Sequence, residues 1–237
     1  MNLRPRNTQG IVIDGTRSNV IAAFMSRVYG WMMLGIIVTT IVSMQIGNNP
    51  EWVARIFANQ LFFWLVIIAQ FGAVIFLTTM INRINAASAA ITFLAYSALT
   101  GITLSMIFVV YTQQSIATAF ATTAMGFAGL SLFGYTTKRD LGPIGSFCMM
   151  SLFGLIGMML LSLFIPSFRS DGMQLFISFA GLVIFAGLTA YDTQRIKNFA
   201  SGSPSNLSTQ AIYGALVLYL DFLNLFLNLL RIMGDRK

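Results

Sequence analysis

Two carboxylates stand where a largely apolar chain is least suited to hold them. Asp221 lies inside the last strongly apolar stretch, residues 211–230, with ten uncharged residues before it and nine after. Asp192 closes the preceding stretch, in Leu188-Thr189-Ala190-Tyr191-Asp192-Thr193-Gln194-Arg195. An acid near the middle of a bilayer costs several kcal/mol unless it is paired, hydrated or protonated, and such residues usually serve proton or cation handling.

The neighbours of these acids follow a pattern. Asn224, Asn228 and Arg231 follow Asp221 at spacings of three, four and three, so all four share one helical face, which Gly214 extends. Leu and Phe occupy the other faces. A polar stripe on such a helix must face protein or water, which places the last segment inside a bundle and makes Asn224 and Asn228 candidate pore-lining residues. Beyond Asp192, Arg195 and Lys197 can extend their charges to the headgroups, letting the helix continue and hold Asp192 about one turn inside. Arg83 ends the second apolar segment, which runs in the same direction as the sixth, so it is expected at the membrane level of Asp192. A guanidinium beside a carboxylate favours its charged form, whereas two neighbouring carboxylates share a proton, and the three groups together would titrate as a unit.

These residues are carried by membrane helices. The chain has 237 residues, of which 57% are hydrophobic and only 9% charged, with a mean hydropathy of +0.78. A soluble domain carries roughly 25% charged residues. A spanning helix needs about 20 apolar residues, and the uncharged runs predict seven spans at about 28–46, 61–82, 87–111, 116–137, 143–165, 173–193 and 211–231. Thr112-Gln113-Gln114-Ser115 divides the longest run, and Pro50, Pro143, Pro166 and Pro204 fall at span ends or in connections, where a missing N–H costs least. The expected architecture is all-α, a single polytopic membrane domain over residues 1–237.

Residues 1–27 are polar, contain four arginines and lack an early apolar core, so they read as a cytoplasmic tail rather than a cleaved signal. With that tail inside, Lys and Arg number nine on the cytoplasmic side and five on the other, in accord with the positive-inside rule. Arg231, Arg236 and Lys237 are the exception if the last segment crosses fully, and a re-entrant segment would return them to the cytoplasm. The net charge of +7 is thus spread over span ends and points to the bilayer, not to nucleic acid. The longest connection, residues 194–210, contains Ser201-Gly202-Ser203-Pro204-Ser205-Asn206, a loop composition. Small residues such as Gly126 with Gly129 and Gly154 with Gly157 suit close helix packing.

Several chemistries are excluded. The chain has no His and one Cys, Cys148, so zinc hydrolysis, Ser-His and Cys-His catalysis lack their residues. No Gly-rich phosphate loop is present, and no cofactor is expected. Tyr191-Asp192 and Asp221 are the bare ingredients of an intramembrane aspartyl protease, but Leu218-Tyr219-Leu220-Asp221 lacks the Gly-x-Gly-Asp surroundings of those enzymes.

Thr100-Gly101-Ile102-Thr103-Leu104-Ser105, the Lys138-Arg139-Asp140-Leu141 turn, Ala190-Tyr191-Asp192 and Leu218-Tyr219-Leu220-Asp221-Phe222-Leu223-Asn224-Leu225-Phe226 together resemble the Bax inhibitor-1 family, in its bacterial inner-membrane branch. The likeness covers about residues 20–234 and implies seven helices with the last one central. It implies a pH-sensitive calcium leak channel whose sensor pair is Asp192 and Asp221, latched by Arg83. Calcium takes oxygen ligands, so both acids are candidate transient Ca²⁺ ligands. Protonating Asp192 would weaken the latch and free the last segment. The connection between segments 6 and 7 is longer than the family pattern. A second reading is a regulatory protein that binds a membrane protease complex through its N-terminal tail.

Overall fold

In the computed structural model, residues 8–166, 170–200 and 206–237 are described, with side chains from residue 18 onward. Within them the chain is helical: α1 (Thr8–Gly47), α2 (Pro50–Ala58), α3 (Gln60–Met80), α4 (Ala86–Leu104), α5 (Ile107–Val110), α6 (Gln113–Thr136), α7 (Gly142–Phe164), α8 (Asp171–Ala200) and α9 (Leu207–Met233). Seven stretches are long and apolar enough to cross a membrane: Ser18–Gly47, Gln60–Met80, Ala86–Val110, Gln113–Thr136, Gly142–Phe164, Asp171–Ala200 and Leu207–Met233. The protein is thus an all-α polytopic membrane protein.

Local chemistry sets the boundaries. Asn59, Asn85 and Thr112 accept hydrogen bonds from the backbone N–H groups of Phe62, Ser88 and Ser115, and so satisfy donors left open at the starts of α3, α4 and α6. Pro50 and Pro143 occupy first-turn positions of α2 and α7, where no N–H is needed. The break between α4 and α5 falls at Ser105, whose hydroxyl bonds back to the Ile102 carbonyl at 2.6 Å.

The burial pattern is that of a membrane bundle. Phe164 is 82% exposed, Leu61 72% and Met125 70%, because lipid rather than water meets the outer faces. α9 is the central helix, packed against α8, α1, α6 and α4. Leu216, Leu218 and Tyr219 on it are fully buried. α3 is peripheral and packs mainly against α4.

Three boundaries differ from the hydropathy reading. α1 begins at Thr8, twenty residues before the apolar run, because a helix can project beyond the hydrocarbon that hydropathy detects. α8 runs on to Ala200 because its polar residues find partners there. Gln194 accepts from the Leu141 N–H and donates to the Arg139 carbonyl, and Lys197 donates to the Tyr135 carbonyl. α9 begins at Leu207, so most of the expected loop is helix; its Ser201–Ser205 part lies outside the described residues, as do Arg4 and Arg6 of the tail.

The last segment is one continuous helix that runs the length of the bundle. It starts beside the end of α8, and its far end meets the α5–α6 junction. There the Thr112 N–H donates to the Asp235 carbonyl, the Lys237 N–H to the Val110 carbonyl and the Lys237 ammonium to the Phe108 carbonyl. Gly47 at the end of α1 abuts Phe108 on this same face. The C-terminal cations therefore lie opposite the α8–α9 connection.

Candidate functional site

The segment Ala190-Tyr191-Asp192 is gripped from two sides by glycines. A Cβ on Gly134 of α6 would collide with the Ala190 carbonyl, and one on Gly145 of α7 would collide with the Tyr191 ring. These contacts fix the rotation of α8 and turn Asp192 inward, where it is 6% exposed. Asp221 on α9 is 4% exposed. Eight residues separate Asp192 from the end of α8 and fourteen separate Asp221 from the start of α9. At 1.5 Å per residue these depths are about 12 Å and about 21 Å, so Asp221 is the deeper acid. α8 and α9 pack side by side, and the two acids are near enough for the Asp192 charge to act on Asp221.

A cavity of about 400 Å³ opens where α3 and α8 end and α9 begins. Asp192, Arg195, Asn82, Gln210, Tyr213 and Val217 are among its walls. Gln210 donates to the Asn82 side-chain carbonyl at 2.6 Å, tying the end of α3 to the start of α9. Val217 lies one turn before Asp221 on the same helical face, so the cavity reaches to within about a turn of the deeper acid. Asp221 Oδ2 is buried without a hydrogen-bond partner among the described residues. An unpaired buried polar atom is costly, and this oxygen makes no interhelical hydrogen bond among the described residues.

The other expected site residues take different places. Arg83 is exposed in the turn after α3, beside the cavity-lining Asn82 but not itself on the cavity wall. The cation whose charge acts on Asp192 is Arg195, three residues along α8. Asn224 and Asn228 donate to the Leu220 and Asn224 carbonyls one turn back, each at 2.8 Å. Asn228 is packed against Gly181 of α8. The stripe expected on α9 is present, but its amides are engaged with their own helix.

Sequence reasoning did not find Gln210, Asn82 and Tyr213. Gln210 was within reach, since Gln210, Gly214, Val217 and Asp221 continue the same face at spacings of four, three and four. Two buried hydroxyl chains were also missed. Tyr29, Ser131 and Thr193 are joined at 2.6 and 3.0 Å. Tyr219 meets Thr39 at 2.6 Å, and Thr39 in turn donates to the Ser97 carbonyl at 2.8 Å. Their partners lie 58 to 180 residues apart, so no local pattern reveals them. Among the described residues no three Asp, Glu, Cys or His side chains gather as a metal cluster. Any cation here would have to use two carboxylates and neutral oxygens.

A family profile described as inhibitor of apoptosis-promoting Bax1 matches residues 21–237. The inner membrane protein YbhL of Escherichia coli (strain K12) is 44% identical over 218 residues, covering 90% of this chain and 92% of that one. An uncharacterized protein of Borreliella burgdorferi is 42% identical over 217 residues, covering 90% and 92%. One of Deinococcus radiodurans is 38% identical over 231 residues, covering 97% and 95%.

Proposed function

The chain belongs to the Bax inhibitor-1 family, and from that premise we propose that it is a pH-sensitive passive pathway for cations, Ca²⁺ first among them, in a bacterial inner membrane. The observation that carries the reading is the pair of buried carboxylates on adjoining helices, one on a cavity wall and one a turn beyond it with an oxygen unpartnered among the described residues. Two carboxylates so placed do not comfortably hold two charges without a counterion. A proton and a divalent cation therefore compete for them, and acidity sets which one they hold. The likeness to a relative named as an inner membrane protein supports the compartment.

Arg83 is proposed to act as a latch in the closed state. It follows Asn82, whose bond to Gln210 already links α3 to α9. Arg83 is exposed in the turn after α3, so its long side chain can shift toward α8. In that shift Arg83 would pair with Asp192, and protonation of Asp192 would release it. No bond is made or broken in this cycle; the role is transport, not catalysis.

The test is Ca²⁺ flux into dye-loaded vesicles holding the reconstituted protein, measured across pH. Wild type should show a pH-dependent flux. Asp192→Asn/Asp221→Asn should flatten the profile, and Arg83→Gln should raise flux at the pH where wild type is least active. A double variant with the wild-type profile would remove the acids from the mechanism.

A further inference from the structure

A second cavity of about 620 Å³ runs along the flank of the bundle between α1 and α6. The two helices line it from either side without packing closely on one another, and Phe222 of α9 contributes to it. On α1 it extends from Ala22 to Ile36, and on α6 from Phe120 to Tyr135. Those intervals correspond to about 21 and 22 Å at 1.5 Å per residue. One leaflet's share of the hydrocarbon core is about 15 Å, so the groove takes the full depth of one acyl chain.

Its chemistry narrows the occupant. Two of the hydroxyls that line the groove, those of Tyr29 and Ser131, are already satisfied. Thr193 donates to the Thr189 carbonyl at 2.8 Å, and the chain through Ser131 ends at Tyr29. With those protons consumed, the remaining lining apart from Ser26 and Tyr135 is Met, Ile, Leu, Ala and Phe surface. One end is different. Tyr135 lines the groove there, and the Lys197 ammonium donates to its carbonyl at 2.6 Å and lies 4.9 Å above its ring. Lys138 and Arg139 follow three and four residues later, and both are exposed. Among the described residues neither forms an ion pair with a carboxylate.

We infer that this groove holds one acyl chain of an anionic glycerophospholipid, with its phosphate at Lys197, Lys138 and Arg139. A mainly apolar slot with Lys197 over its Tyr135 end and two exposed cations in the connection just beyond matches a single chain below an anionic headgroup. It does not match a polar solute or a neutral lipid. The site is separate from the acid pair and does not depend on the proposed transport.

The test is native mass spectrometry of the full chain, delipidated in detergent and titrated with phosphatidylglycerol or with phosphatidylcholine of the same chains. One phosphatidylglycerol per protein should be retained at concentrations where phosphatidylcholine is not. Lys138→Gln/Arg139→Gln, at two exposed positions, should weaken that retention by about fivefold for each charge removed. Ala128→Trp, which projects a ring into the groove from an exposed position of α6, should abolish it while the charge pair remains. Equal retention of the two lipids, or phosphatidylglycerol still held by the Ala128→Trp variant, would overturn the inference.

Discussion

Replacing Asp221 by Leu is expected to stabilise the bundle while ending pH-dependent flux. Leu branches at the same carbon as Asp and carries no polar atom, so it fits the site with the least change of shape. Asp221 is 4% exposed, its Oδ2 has no partner among the described residues, and the Asp192 charge acts on it. A buried polar atom left unsatisfied costs about 1–3 kcal/mol, and removing it recovers that amount. For a chain of this size each kcal/mol moves Tm by about 2–4 °C, so the variant should melt about 2–12 °C above wild type. The assay is thermal unfolding of purified protein in one detergent, paired with vesicle flux of the same preparation. A residue that glues helices together would behave in the opposite way, because its loss would lower Tm. An Asp221→Leu protein that melts below wild type would refute the argument that this carboxylate is held for function at a cost in stability.

Other outcomes follow from the packing. Tyr219→Phe removes a buried hydroxyl that meets Thr39 at 2.6 Å, and should lower Tm by about 1–6 °C for a hydrogen bond worth about 0.5–1.5 kcal/mol. Gly134→Leu drives a side chain into the Ala190 carbonyl and should cost at least about 1–3 kcal/mol, read as a lower Tm and a changed flux–pH profile, since the segment carrying Asp192 must move. Gly134→Ser should do the same to a smaller degree. Deleting residues 234–237 removes the bonds to Phe108, Val110 and Thr112, and should speed amide hydrogen exchange across residues 107–115 while leaving exchange near Asp192 unchanged.

The amino-acid sequence by itself determined the class of this protein and the identity of its two central acids. Hydropathy is a property of short windows, and a spanning helix must satisfy its own backbone bonds whatever surrounds it, so seven spans could be read without knowing their neighbours. The Asp221 stripe was legible for the same reason, because spacings of three and four mark one helical face. Boundaries were less legible. α8 reaches Ala200 because Gln194 and Lys197 find carbonyls and an N–H at the end of α6 and on the α6–α7 connection, partners more than fifty residues away. Whether the last segment runs through or turns back is likewise set by its tail, which bonds to the α5–α6 junction.

Which faces meet is settled by packing between helices. Two glycines, Gly134 and Gly145, let α6 and α7 close on α8 and set the rotation that brings Asp192 to a cavity with Gln210 and Asn82. The same packing leaves Arg195 as the cation acting on Asp192, with Arg83 on the outer turn. A helix's own sequence fixes which residues share a face, but its rotation and depth are set by contacts with other helices. Those contacts join positions far apart in the chain, where no spacing rule reaches.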